Sequence, residues 1–270
     1  VDGAALDIDE RTAAHRARLL PYVEPHVARR AARAAHPVHD FLFTYYSFRP
    51  AQLLRWTPAS PTLPTDKQVL VQTLLRLLRA TASRAPNLGC FGLHEWAMVY
   101  RSSATRHPRP LRLGGEGTDA VVESHRIRCS HFDAYRFFTP DAAPLNTLRP
   151  GRDDRTDFEQ PGCLHAGMDL YKHAFRLWPL IGSDLVADCF ELAWDIRIMD
   201  MRAAPYDLSG VVLDPTGEPW TPVRIETPEG KQEYAAAQRV FADRAAPLRA
   251  ALVAECERLL AAPRLAARAE

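Results

Sequence analysis

The chain has 270 residues, 47% hydrophobic and 25% charged, with a formal net charge of +1. Such a composition excludes a disordered chain, is enough for a sizeable core, and gives no global attraction to nucleic acid. No apolar run approaches a membrane span, and the five cysteines form no C-x-x-C pair, which sets aside a disulfide framework and a zinc ribbon.

The opening residues, Val1-Asp2-Gly3, do not read as a signal peptide, so the expectation is a cytoplasmic protein without membrane association. Residues 1–35 read as a basic helical arm, with Arg11, Arg16, Arg18, Arg29, Arg30 and Arg33 against Glu10 and Glu24. An arm of this kind tracks phosphates or forms a solvated helix face. Residues 36–262 read as a helical catalytic or binding domain, and 263–270 as a frayed tail. Its first part, from His36 to Tyr46, is aromatic-rich, and Pro37 is placed to start a helix, with His39 and Asp40 at its head.

After a proline-rich connection from Pro58 to Pro64, the segment Asp66 to Arg84 reads as a helix. Val69, Leu70, Leu74, Leu77 and Leu78 recur at helical spacing as its core face. In the next segment His94 and Glu95 stand inside the apolar run Phe91 to Tyr100, where unpaired polar groups are costly, so a functional role is expected of at least one. Ser102 to Gly117 reads as a surface loop. Val121 to Pro140 is dense in reactive side chains, and its periodicity fits neither a clean strand nor a clean helix. His125, Cys129 and His131 are ligand types at a spacing that matches no zinc motif.

Two helices joined by Pro179 to Ser183 stand at the centre of the chain. On the first, Cys163 to Trp178, the residues His165, Asp169, Lys172, His173 and Arg176 fall within an arc of about 100°. The remaining arc of roughly 260° is apolar or small, which predicts a helix buried on most sides with its polar stripe lining a cleft. On the second, Asp184 to Arg202, the acids Asp184, Asp188, Glu191 and Asp195 fall within roughly 60°. The short connection predicts an antiparallel hairpin, with Ser183 as N-cap, in which the basic stripe faces the acidic one. Such facing stripes make either a structural ion-pair ladder or a site for a metal or a proton-transfer pair.

Beyond Pro205 the chain is rich in Pro and Gly as far as Pro228, with Val223 to Glu226 alternating as a short strand. Lys231 to Leu260 then reads as a long helix kinked at Pro247, with Leu248, Leu252, Leu259 and Leu260 as core. The fold class expected is mainly α, a single globular domain with a central antiparallel helix hairpin and long Pro/Gly-rich loops.

The segments Phe91 to Arg101, Ser124 to Asp133 and Gln160 to His165 carry a resemblance. Over about His36 to Leu260 the chain resembles actinobacterial proteins commonly labelled 3-methyladenine DNA glycosylase. No helix-hairpin-helix signature accompanies it, so residue roles follow from side-chain chemistry. The resemblance implies an N-glycosylase-type hydrolase that removes a damaged or modified base from nucleic acid or a nucleoside, without a cofactor.

A base-excision site needs aromatic walls and a carboxylate for an oxocarbenium-like sugar. Trp96, Tyr100, Tyr135, Phe137 and Phe138 are expected as walls, with Arg128, His131 and Arg136 as polar contacts to the base. Asp169 or Glu95 is expected as the carboxylate, with His165, beside His94, as acid or base. Lys172 is expected as Schiff-base nucleophile in a lyase variant. The competing expectation is a metal-dependent hydrolase or oxygenase on a small molecule. There His165 and Asp169 at i,i+4, with Asp188, Glu191 and Asp195, hold Fe, Mn or Zn. A third is a ligand-binding protein without chemistry. The pattern fixes no oligomeric state.

Overall fold

A computed structural model describes residues 2–265, with side chains from residue 7 to residue 263. The expected tail beyond Leu265 lies outside the described residues. The architecture is mainly helical: α1 (Asp2–Ala31), α2 (Phe41–Thr44), α3 (Pro50–Leu53), α4 (Gln68–Ala82), α5 (Leu93–Ala97) and α6 (Gly114–Glu123), followed by α7 (Phe132–Tyr135), α8 (Arg155–Phe158), α9 (Leu164–Leu177), α10 (Ser183–Ala203) and α11 (Pro228–Ala261). Among the described residues the only sheet is a two-residue parallel pairing of Leu63–Pro64 with Arg264–Leu265. Among the described residues no helix is long and apolar enough to cross a membrane.

The α9–α10 hairpin is the centre of the packing, as the apolar arc of α9 requires. Tyr171 meets Phe190 edge-on at 5.2 Å, and a Cβ at Gly167 would stand 2.9 Å from Ile196 Cδ1. An early residue of α9 thus meets a late residue of α10, as an antiparallel pair demands, and the bare Cα at 167 lets the two axes close. Ser183 is the first residue of α10 rather than its cap. Its hydroxyl donates to Arg55 O and accepts from the Thr57 and Trp178 N–H groups, tying the hairpin turn to the chain after α3.

Helix α11 packs along α4, α9 and α10. It starts at Thr227, whose hydroxyl accepts from Gly230 N at 3.1 Å, with Pro228 in the first helical position. Gln238 on α11 donates to Gly162 O at 2.8 Å and fixes the start of α9. Helix α1 also joins this core: Leu19 and Val23 are fully buried within it.

Three local expectations change. Val69 is 72% exposed, and Val71 takes its place on the core face of α4. Val223 and Ile225 are buried without forming a strand; the Val223 N–H donates to Arg202 O at the end of α10 instead of to a neighbouring strand. Val121 to Pro140 divides into the end of α6, an extended stretch and the single turn α7, which explains why no one period fits it.

Candidate functional site

The facing-stripe expectation does not hold. Asp188 and Glu191 pair with Arg18 of α1 at 2.7 and 2.6 Å, Asp195 pairs with Arg244 of α11 at 2.6 Å, and Asp184 accepts from Trp56 Nε1 at 3.2 Å. The acidic row therefore points outwards, away from His165 and Asp169, and Asp188, Glu191 and Asp195 do not complete a metal shell with them. The polar stripe of α9 instead meets α5, α7, α8 and the end of α10.

A cavity of about 340 Å³ lies there. Phe41, Tyr45, Tyr46 and Phe137 form its aromatic walls, and Glu95, His131, Asp133, His165, Asp169 and Arg197 bring polar atoms to it. Arg106 and His107 border it from the loop after α5. That loop is reached through Phe91 and Gly92, at φ 47° and 68°, which turn the chain into α5 and bury His94 and Glu95.

Asp169 is 2% exposed and is the most heavily paired group of the site. Tyr46 donates its hydroxyl to Oδ1 at 3.0 Å, Arg155 donates to Oδ2 at 3.0 Å, and His131 Nε2 and Lys172 Nζ stand at 3.4 and 3.6 Å. Burial alone would raise the carboxyl, but His131, Lys172 and His173 outweigh it and hold the group well below the usual carboxylate range. Glu159, also buried, takes the other face of Arg155 at 2.5 Å.

Lys172 donates to Asp133 at 2.8 Å. Burial lowers its pKa, but Asp169 and Asp133 more than reverse this, so the amine is held as a cation. That charge state suits an electrostatic clamp and opposes the nucleophilic amine expected of a lyase.

His165 forms no hydrogen bond to Asp169. Its ring meets His94 edge-on at 4.5 Å and stacks near His131 at 5.3 Å. Burial first, and then His94, press its pKa down to about 3, so the imidazole is neutral and unsuited to act as a general acid. His94 Nε2 contacts Asp200 Oδ1 at 2.9 Å, and Arg197 Nη1 donates to Asp200 Oδ2 at 2.8 Å. Ligand atoms of His94, His165 and Asp200 lie within 4.8 Å of one another. Several buried polar atoms here have no hydrogen-bond or ion-pair partner: His131 Nδ1, Glu95 Oε2 and Arg197 Nη2. Orphaned groups of this kind are costly unless a ligand or water meets them.

The aromatic expectations divide. Phe137 lines the cavity, and the arginines Arg106 and Arg136 stack over its ring at 3.9 and 4.3 Å. Trp96 does not line it: the ring is fully buried and its N–H donates to Ala203 O, so it is core. Tyr100 is turned to Glu123 at 2.8 Å, Tyr135 packs on Phe138, and Arg128 borders a smaller neighbouring cavity with Cys163 and His165. His39 lies flat on Trp194 at 4.1 Å, and Asp40 accepts from His26 and Arg29, both in structural roles. Tyr46, Arg155, Glu159, Arg197 and Asp200 were not singled out by sequence reasoning, and Asp133 only as a member of the dense segment Val121 to Pro140. The lysine shared by Asp133 and Asp169 leaves no trace in spacing, because the two acids lie on different elements.

Buried neutral histidines make an acid limb to stability. His173 is pressed to about 3, by burial and then against the raising effect of Asp169; Arg155, Lys172 and Arg176 add to the lowering. His39 is pressed to about 2 by burial, then His36 and Arg29. Both folded values lie below the unfolded one of about 6.5, so the unfolded chain binds more protons in between. Their stabilisation is complete above about pH 6.5 and is lost as pH falls towards 3. From pH 7.5 to 5 each should cost about 2 kcal/mol. Urea denaturation at the two pH values checks this: His173→Gln should flatten the pH dependence by about one such step, and a variant curve parallel to wild type would assign the acid limb elsewhere.

Comparison of the chain with protein-family models, with curated proteins and with solved structures finds no match.

Proposed function

We propose that this cavity hydrolyses an N-glycosidic bond, releasing a damaged or modified base from nucleic acid or a nucleoside. The observation that carries the reading is Asp169: a buried, ionised carboxylate bordering an aromatic-walled cavity. As a C1′–N bond breaks, positive charge grows on the sugar, and a fixed anion in a dry site stabilises it strongly. The low pKa suits Asp169 to this electrostatic task rather than to proton abstraction. Glu95, with Oε2 buried and unpaired, is the carboxylate available to orient the attacking water and take its proton. Water oxygen then joins C1′, and the base departs with the bond's electron pair.

The walls of Phe41, Tyr45 and Phe137 offer π-faces to a planar base, and a cavity of this size holds one nucleoside. Arg106 and Arg136, both exposed and braced on Phe137, put cations at its rim, where a phosphate would lie. The test is base release from alkylated duplex and from alkylated nucleosides, comparing wild type with Asp169→Asn; release at equal rates would remove Asp169 from the chemistry. A companion prediction separates hydrolase from lyase. Because Lys172 is held as an ammonium by Asp133, borohydride added during turnover should trap no covalent adduct. An adduct on Lys172 would reverse that assignment.

A further inference from the structure

Two clusters of histidine and carboxylate lie in the described residues, and their hydrogen bonding separates them. In the first, His36, His39 and Asp214, every residue is tied into the surrounding loops, although His39 Nδ1 is buried without a partner. His36 Nε2 donates to Val212 O, and its Nδ1 accepts from the Val38 and His39 N–H groups. His39 Nε2 accepts from Asp214 N, and Asp214 Oδ2 is paired with Arg29. That cluster is a loop clasp.

The second cluster, His94, His165 and Asp200, is built differently. Each residue comes from a separate helix, α5, α9 and α10, so the set is fixed by the packing of the core. Neither ring nitrogen of His165 has a hydrogen-bond partner among the described residues. Asp200 turns Oδ2 to Arg197 and Oδ1 to His94. The arginine fixes the carboxylate as an outer partner does, so that Oδ1 is the oxygen an ion would meet, displacing the proton shared with His94 Nε2.

An ion at about 2.1 Å from each donor sets donor–donor separations of roughly 3.0–3.5 Å. The His94–Asp200 distance of 2.9 Å is already of that size, and all three ligand atoms fall within 4.8 Å. A second observation points to a ligand at this place: His131, 1% exposed and stacked near His165, turns Nε2 towards Asp169 at 3.4 Å and leaves Nδ1 buried without a partner.

We propose that His94, His165 and Asp200 hold a divalent first-row transition metal at the inner end of the aromatic cavity. Two imidazoles and one carboxylate, without thiolate, suit iron, manganese, cobalt or zinc. Three protein ligands leave a coordination position open, the pattern of catalytic rather than structural sites. Because His165 borders the cavity, that position is reached from it. The site goes beyond the hydrolase reading and stands whether or not that reading does.

The experiment is metal binding by the full chain, with no substrate. Purified untagged protein is analysed for elements, then stripped with chelator and titrated with Zn²⁺, Mn²⁺, Fe²⁺ under anaerobic conditions, and Co²⁺, whose visible absorption reports ligand geometry. One equivalent bound, with a cobalt band, is expected. His165→Gln is the decisive variant: the side chain makes no hydrogen bond that folding requires, and circular dichroism confirms the fold. It should weaken binding by tenfold or more, as should Asp200→Asn, while Asp214→Asn in the other cluster keeps the full equivalent. A folded wild type that binds none of the four ions, or a His165→Gln protein that retains full occupancy, would overturn the site. Base release measured on the same samples reads the hydrolase separately: a full equivalent of metal with no release would remove the hydrolase and leave the metal.

Discussion

Asp169→Asn should lower the rate of base release by about 10³-fold, with the loss in kcat and little change in KM. The size follows from where the charge acts. The carboxylate is 2% exposed, so its charge is screened less than a solvated one would be. An asparagine keeps the shape and one acceptor oxygen, so substrate still enters, but it removes the anion that the developing sugar cation needs. Tyr46 and Arg155 each donate to Asp169, and the amide can meet only one of them with oxygen. A stability loss of about 1–3 kcal/mol should therefore accompany the catalytic one. Two measurements keep the effects apart: a urea curve gives the stability term, and single-turnover release at saturating substrate gives the chemical one. A KM effect alone would make Asp169 a binding group, and the oxocarbenium role would fall. Glu95→Gln should also slow release with a smaller stability loss than Asp169→Asn, because Oε2 has no protein partner and Arg197, 3.8 Å from Oε1, keeps its shorter pair with Asp200.

The fold was legible where periodicity is long. The helix α9 spans four turns, enough for its apolar arc to show both burial and the direction of its polar stripe, and α10 and α11 are longer still. What the stripes face was not legible. Asp188 and Glu191 form a row on α10, but their cation is Arg18, 170 residues away for Asp188, and no local rule chooses it over the basic residues of α9. The four-residue helices α2, α3, α7 and α8 fall below one period of evidence, so Tyr46, Asp133 and Arg155 arrive at the site through elements that carry no pattern. Trp96 shows the converse limit. An aromatic ring within an apolar run suits a cavity wall and a core equally, and only the carbonyl of Ala203 at the end of its N–H decides for the core. The readable signal at His94 and Glu95 was cost: polar residues in a buried run need partners, and Asp200 and Arg197 are those partners.

Arg197→Met should destabilise the protein by about 3–5 kcal/mol, seen as a fall in the urea midpoint at unchanged slope. The guanidinium is 1% exposed. It donates to Asp200 at 2.8 Å, approaches Glu95 at 3.8 Å, reaches Val38 O at 3.4 Å and lies 4.2 Å over the ring of Phe41. Methionine fills much of the volume and leaves two buried carboxylates without their cation, and it is the stranded charge, more than the lost pair, that costs. Arg197→Lys makes the sharper comparison. An ammonium on Asp200 restores the charge but supplies neither the flat stack on Phe41 nor the reach to Val38, so about half the loss should return. Arg197 lines the cavity and its Nη2 is unpaired, which gives the substitution a second consequence. If that N–H meets a bound ligand, Arg197→Lys should raise KM while kcat holds, because the fork that aims it is gone. Equal stability of Arg197→Met and wild type would mean that Asp200 and Glu95 find other compensation, and the inner end of the cavity would then be less dry than its burial implies.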